Sequence, residues 1–370
     1  MTEPLTDLGI PGLRSGTEDV PTTDVPQTGK EFTSDQEVRW CPGCGDYAVL
    51  KAVQSFLPRL GLRRENIVFV SGIGCSSRFP YYLDTYGMHS IHGRAPSIAT
   101  GIATAREDLS VWVVTGDGDA LSIGGNHLIH ALRRNVNMTI LLFNNRIYGL
   151  TKGQYSPTSE TGKVTKSTPM GSVDHPFNPV SLALGAEATF VARTIDSDRL
   201  HLTAVLAAAA AHRGTSLVEI YQNCPIFNDH AFDAIKSPDT KADAIIPLVH
   251  GEPITFGAVS DSGQGARALV RDDATGGVKV VQTAEVAAAD VLVHDAHSPD
   301  PSTAFAISRL TDSGYLNTSP IGIFRQVERS TYDDETRAQV ALASQGNGDA
   351  ADRTAQLAAL IGGGDTWTIV

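Results

Sequence analysis

Two short polar turns carry the clearest chemistry in this chain. Gly116-Asp117-Gly118-Asp119 follows the apolar run Val111–Thr115, and Asn144-Asn145-Arg146-Ile147-Tyr148-Gly149 follows Met138–Phe143. A hard divalent cation such as Mg²⁺ takes oxygen ligands. Asp117 offers a carboxylate, Asn145 an amide oxygen, and a residue just past Asn145 a backbone carbonyl. Glycines at 116 and 118 let the backbone come close to phosphate oxygens, and the helix that follows presents its N-terminal N–H groups. This set suits a diphosphate held through a metal ion. A lone Gly-Asp-Gly is usually an ordinary turn. The Asn-Asn-x-x-Tyr-Gly partner, one helix and one strand later, is what makes it a candidate site.

Four cysteines form the second set. Cys41 and Cys44 lie in Trp-Cys-Pro-Gly-Cys-Gly, while Cys75 and Cys224 are isolated and distant. A Cys-x-x-Cys pair suits a redox couple, half of a zinc site or half of an iron–sulfur site. Structural zinc sites usually show two close pairs. Cys75 and Cys224 instead each follow a predicted strand, beside the glycine-rich loops, which suits a [4Fe–4S] cluster. The competing reading is that both are small core residues.

These groups need elements to position them. Ala48, Val49, Ala52, Val53, Phe56 and Leu57 recur at helical spacing. Strands are expected at 67–70, 111–115, 138–143, 188–192 and 216–221. Helices are expected over 95–106, 123–134, around Leu182, and through Ala207–Ala211 with Asp196 as cap. Apolar, unalternating strands separated by helices predict an α/β fold, a parallel twisted sheet covered on both faces. Ligands gather at the carboxyl ends of such strands, and every motif above sits at one.

The expected organisation is a flexible leader over 1–34, a cofactor-binding domain over 35–230, an extension over 231–340 and a tail over 341–370. The extension is expected to hold a β-hairpin of Ala266–Arg271 and Val278–Gln282 and to pack on the core or a partner. With 370 residues, 41% of them hydrophobic, the chain can build one large core. The net charge of −12 without a basic stripe excludes a nucleic-acid partner. Four cysteines are too few for a disulfide scaffold of this size. The opening MTEPLTDLGI lacks the features of a secretory signal, and the longest apolar run, near Thr203–Ala211, is too short to span a bilayer. A cytoplasmic protein without a membrane partner is expected.

Gly-Asp-Gly preceding Asn-Asn by a little under thirty residues resembles the thiamine-diphosphate signature. Trp-Cys-Pro-Gly-Cys-Gly-Asp-Tyr, Gly-Ile-Gly-Cys-Ser-Ser-Arg-Phe-Pro, Ser-Ile-His-Gly-Arg-Ala-Pro and Tyr-Gly-Leu-Thr-Lys-Gly-Gln-Tyr-Ser-Pro-Thr resemble the β subunit of 2-oxoacid:ferredoxin oxidoreductases. The resemblance is strong over Val38–Asp229 and weaker to about Asp333. It implies a thiamine-diphosphate-binding fold, with Mg²⁺ held by Asp117, Asn145 and the carbonyl of Ile147. It implies a [4Fe–4S] cluster on Cys41, Cys44, Cys75 and Cys224. Thiamine diphosphate contacts would come from Ile73, Gly74, Cys75, Ser76, His92, Gly93, Arg94, Ala95, Gly118, Asp119, Gly149 and Leu150.

The implied reaction is oxidative decarboxylation of a 2-oxoacid with coenzyme A as acyl acceptor and ferredoxin as electron acceptor. The glutamate that activates thiamine lies on the α subunit in this family, so a heterodimer is implied, as αβ or (αβ)₂. His92, Arg94 and Lys152 are the candidate catalytic contacts of this chain. Leu150-Thr-Lys-Gly-Gln154 and Tyr81-Tyr-Leu-Asp-Thr-Tyr-Gly87 look like the 2-oxoglutarate type. A buried distal carboxylate needs a cation, and Lys152 is expected to supply it, giving succinyl-CoA and carbon dioxide as products. Pyruvate or a branched-chain 2-oxoacid is the alternative substrate. A non-oxidative thiamine enzyme is the alternative class, and a zinc-stabilised scaffold or electron-carrier subunit is the non-enzyme alternative.

Overall fold

The structure is a computed structural model that describes residues 16–258, 265–345, 350–364 and 367. The strands are β1 (Ile67–Ser71), β2 (Tyr86–His89), β3 (Ser110–Gly116), β4 (Met138–Asn144), β5 (Phe190–Ile195) and β6 (Thr215–Tyr221). They continue with β7 (Ile245–Leu248), β8 (Thr255–Phe256), β9 (Arg267–Asp272), β10 (Gly277–Gln282) and β11 (Ser319–Gln326). The helices are α1 (Asp46–Phe56), α2 (Phe79–Tyr82), α3 (Ala95–Ala105), α4 (Gly125–Arg134), α5 (Pro179–Gly185) and α6 (Arg199–Ala211). After them come α7 (Asp233–Lys236), α8 (Lys241–Ala244), α9 (Ser302–Ser308), α10 (Tyr332–Ser344) and α11 (Ala350–Gly362).

Strands rich in Val, Ile, Leu and Phe without alternation must be covered on both faces. The main sheet satisfies this. Phe69, Trp112, Val114, Leu141 and Val218 face α1 and α6, while Val68, Val70, Val113, Ile140 and Leu217 face α3, α4 and α5. The strand order is β2-β1-β3-β4-β6-β5-β11-β7. The pairs from β2 to β5 are parallel. The carboxyl ends of β1, β3, β4 and β6 therefore lie along one rim.

The extension does more than cover this sheet. Its strand β11 pairs antiparallel with β5, and β7 lies parallel beside β11. Pro320, Gly322 and Arg325 break the apolar pattern of β11, so it does not read as a strand. The hairpin forms as expected, with β9 and β10 antiparallel and Arg271 opposite Val278. Asp196 is not the cap of α6. That role falls to Asp198, whose side chain accepts from His201 N at 3.0 Å. Asp196 instead accepts from Asn223 N at 2.9 Å and pairs with Lys236 at 2.5 Å.

The leader also differs from expectation over its described part. Residues 16–34 are packed, with Val20 and Phe32 buried in the core. Gly16 N donates to Ala211 O at 2.7 Å, and isolated bridges join Thr22 to Leu62 and Thr33 to Leu83. Arg213 pairs with Asp19 at 2.9 Å and with Asp334 of α10 at 2.7 Å, which ties the leader and the first C-terminal helix to one cation. Single anchors of this kind leave no period in a sequence. Residues 1–15 lie outside the described residues. Among the described residues no helix is long and apolar enough to cross a membrane.

Arg193 of β5 and Glu219 of β6 are paired in register and are 0% and 1% exposed at the side chain. Their Nε–Oε2 distance is 2.7 Å. Removing one partner of such a pair leaves an uncompensated buried charge. Arg193→Met is expected to lower unfolding free energy by about 3–5 kcal/mol. Adding Glu219→Leu should recover at least half of the loss in urea denaturation; no recovery would show that the loss is not electrostatic.

Candidate functional site

The loops after β1, β2, β3 and β4 enclose a polar cleft. Its wall includes Ile73, Gly74, Cys75, Ser76, His92, Asp117, Gly118, Asp119, Asn145, Ile147, Gly149 and Leu150. Asp119, just past β3, ties the loops after β1 and β2 to the end of its own strand. Its Oδ1 accepts from Ile73 N at 3.1 Å, Gly93 N at 2.7 Å and His92 Nδ1 at 2.5 Å. Its Oδ2 accepts from Thr115 Oγ1 at 2.6 Å. Gly72 is required here, because a Cβ would stand 1.7 Å from Asp119 Oδ2. At Gly118 a Cβ would stand 2.1 Å from the Tyr148 ring, whose hydroxyl donates to Gly118 O at 3.1 Å.

Asp117 is buried, and its Oδ2 accepts from Ser156 Oγ at 2.5 Å and Thr158 Oγ1 at 2.6 Å. Burial raises its pKa to about 6, with those two hydroxyls pulling the other way. Asn145 Oδ1 accepts from Ile147 N at 3.1 Å, which closes the turn. A carboxylate, an amide oxygen and a peptide carbonyl on one cleft wall form a donor set for a hard cation.

All four cysteines line a second cavity of about 220 Å³, together with Arg39, Trp40, Arg78, Lys152 and Phe227. Both cavities share Cys75, Asn145, Gly149 and Leu150. A Cβ at Gly149 would lie 3.6 Å from Cys75 Sγ and 3.7 Å from Cys224 Sγ, so this glycine stands at the partition. The four thiols are free. Among the described residues no three His, Cys, Asp or Glu side chains converge as for a single ion. The cysteines surround a volume instead.

Burial pushes the Cys75 thiol up to about 12 and the Cys44 thiol up as well, with Asp46 the next cause in each case. Asp46, fully buried beside Cys44, is itself raised to about 7 by burial. Burial also raises Cys224, against hydrogen bonds from the N–H groups of Phe227, Ile226 and Asn228. Redox-active Cys-x-x-Cys pairs rely on one depressed thiol pKa, which the raised Cys44 thiol does not supply. Thiols that resist ionisation in place need a metal's positive charge to become ligands.

The predicted residues are not all on the cleft wall. Gly93, Arg94 and Ala95 lie beside it: Gly93 donates to Asp119, Arg94 donates to Ile123 O at 3.1 Å, and Ala95 is buried in α3. Lys152 lines the cysteine cavity rather than the Asp117 cleft, at a φ of 77°. That backbone region is uncommon for non-glycine residues and clusters at functional sites. Ser156, Thr158 and Asn228 carry no role in the sequence reading. The first two lie in the quoted Tyr-Ser-Pro-Thr motif, which was their only signal.

Thr158→Val keeps the shape of the side chain and removes one donor to Asp117. For a cleft that takes Mg²⁺ through Asp117, it is expected to weaken that binding about tenfold in titration of metal-free protein. Unchanged affinity would mean that Asp117 is not a ligand or does not depend on Thr158.

Residues 72–220 match the family described as thiamine pyrophosphate enzyme, C-terminal TPP binding domain. The chain is 65% identical to the 2-oxoglutarate oxidoreductase subunit KorB of Mycobacterium tuberculosis, over 98% of this chain and 94% of that one. It is 45% identical to the 2-oxoglutarate synthase subunit KorB of Archaeoglobus fulgidus, over 50% of this chain and 69% of that one. Among solved structures it is similar to the 2-oxoglutarate:ferredoxin oxidoreductase from Magnetococcus marinus with 2-oxoglutarate, coenzyme A and succinyl-CoA bound. The TM-score is 0.70 and the identity 32%, covering 92% of this chain and 99% of that one. A near-full-length match of this identity, on a thiamine-diphosphate-binding fold whose motif loops meet at one rim, places the chain in the β-subunit family of the 2-oxoacid oxidoreductases.

Proposed function

We propose that this chain is the β subunit of a 2-oxoglutarate:ferredoxin oxidoreductase. With an α subunit it converts 2-oxoglutarate and coenzyme A to succinyl-CoA and carbon dioxide, and passes two electrons to ferredoxin. The observation that carries this reading is the shared partition. One cleft offers oxygen donors for a metal-bound diphosphate, the next cavity is lined by four cysteines, and both have Cys75 and Gly149 in their walls.

The residues fit the groups that this function requires. Asp117, Asn145 and the carbonyl of Ile147 would hold Mg²⁺, and Gly118, Asp119, His92, Gly149 and Leu150 would surround thiamine diphosphate. Cys41, Cys44, Cys75 and Cys224 would hold a [4Fe–4S] cluster. When bound, the thiazolium ring accepts the electron pair released with carbon dioxide and the cluster carries electrons onward one at a time.

This chain's own side chains set the conditions for that chemistry. Ser156 and Thr158 fix the Asp117 carboxylate. Asp119 holds the His92 ring through Nδ1, so His92 presents Nε2 to its surroundings. Ile73 and Leu150, both partly exposed on the cleft wall, supply apolar surface that a partner subunit can cover to exclude water. No glutamate lines the cleft among the described residues, which supports an activating glutamate from the α subunit. Four free thiols also suit a reducing cytoplasm.

Lys152 is the proposed contact for the distal carboxylate of 2-oxoglutarate. Its ammonium has no acidic partner in the chain among the described residues. The co-expressed αβ complex should reduce ferredoxin with 2-oxoglutarate in a coenzyme A-dependent way, faster than with pyruvate or a branched-chain 2-oxoacid. Turnover without ferredoxin reduction would move the protein to the non-oxidative thiamine enzymes. Lys152→Ala should raise KM for 2-oxoglutarate at least about tenfold, the worth of a charged hydrogen bond, and leave pyruvate kinetics unaltered. Equal effects on both substrates would remove Lys152 from specificity.

A further inference from the structure

Asn228 bonds both to the turn that carries Cys224 and to the loop that carries Asn145, and its amide group is fully used. The residue is 4% exposed. Its backbone N donates to Cys224 O at 3.0 Å, closing the tight turn Cys224-Pro225-Ile226-Phe227-Asn228. Its Nδ2 donates to Asn145 O at 2.9 Å and, at 3.4 Å, to Arg146 O. Its Oδ1 accepts from Lys163 Nζ at 2.5 Å. Lys163 in turn pairs with Glu160 at 2.9 Å, and Glu160 lies 3.4 Å from Arg146. A short closed circuit of charged and amide groups therefore fixes the orientation of the Asn228 side chain.

Both ends of this residue matter. The turn it closes carries Cys224, and the peptide it clamps joins Asn145 to Ile147. Arg146 between them has a φ of 58°, so the loop reaches its shape through a backbone conformation that non-glycine residues seldom adopt. An amide that holds two successive carbonyls of this loop keeps the chain there. The bland alternative is a buried asparagine that only satisfies loop carbonyls. It predicts a general loss of stability and no linked effect on two centres.

We propose that Asn228 is a positioning residue that locks the magnesium loop and the Cys224 turn to each other, with Lys163 as its anchor. This rests on the proposed cofactor assignment. Outer groups that orient metal ligands change affinity and the properties of the bound metal without touching it. A strut with one end at each centre must affect both.

The test uses the αβ complex purified without oxygen. The unaltered complex must first bind Mg²⁺ with thiamine diphosphate and give the electron paramagnetic resonance spectrum of a reduced cluster. If it does not, the cofactor assignment fails before Asn228 is reached. Asn228→Asp keeps the acceptor for Lys163 and removes both donors to the loop. Its dissociation constant for Mg²⁺, titrated at saturating thiamine diphosphate, should rise about tenfold. The g values of its reduced cluster should shift while iron content stays at that of the parent. Lys163→Met should move both readouts in the same direction by less, and it carries the test alone if Asn228→Asp is not recovered as a complex. A change confined to one centre, or to thermal stability, would overturn the proposal.

Discussion

The carboxylate of Asp119 is the joint on which the site depends. Three strand ends deliver loops to the rim of the sheet, but nothing in a parallel sheet fixes how those loops lie on one another. Asp119 accepts from the loop after β1, the loop after β2 and the end of β3 at once. It is almost fully buried, so water cannot replace these donors. Glycine at 72 is the steric counterpart, since any side chain there would displace the carboxylate. These internal contacts hold the shape of the cleft, and polar groups fixed in this way are what electrostatic catalysis requires.

The adjacency of the two cavities follows from the topology. Cys75 lies in the loop after β1 and Cys224 in the loop after β6, and β4 between them carries the Asn145 loop. Cys41 and Cys44 come from the segment that leads into α1, with Trp40 Nε1 donating to Cys75 O at 2.7 Å. Trp40 packs edge-on against Tyr82 at 4.8 Å, so the Cys-x-x-Cys segment rests on the aromatic core. Burial makes isolated thiolates costly there, and N–H groups aimed at Cys224 offset part of that cost. The protein supplies geometry, hydrogen bonds and the guanidinium groups of Arg39 and Arg78 around this cavity.

What the sequence revealed and what it hid have a common physical reason. Local constraints leave their mark: glycines where side chains would clash, an Asp or Asn where a strand ends, a close Cys-x-x-Cys pair. Asp117, Asn145 and the cysteines stand out in the sequence for that reason, and the structure puts them on the walls of two adjoining cavities; the two-sided sheet was legible from its unalternating strands. Long-range hydrogen bonds leave no such mark. Ser156 and Thr158 are common turn residues until the fold brings them to Asp117. Asn228 looks like any loop asparagine until its partners 83 and 65 residues away are known. Strand β11 was hidden because proline, glycine and arginine interrupt it, and the packing of residues 16–34 because it relies on single anchors.

The most direct measurement is the metal and cofactor content of the αβ complex, purified without oxygen. Cys41, Cys44, Cys75 and Cys224 around one cavity, beside a magnesium-type donor set, predict about four irons per β chain with matching acid-labile sulfide. They also predict thiamine diphosphate in equal amount to the chain. Zinc in place of iron, or iron without thiamine diphosphate, would contradict the pairing of the two centres.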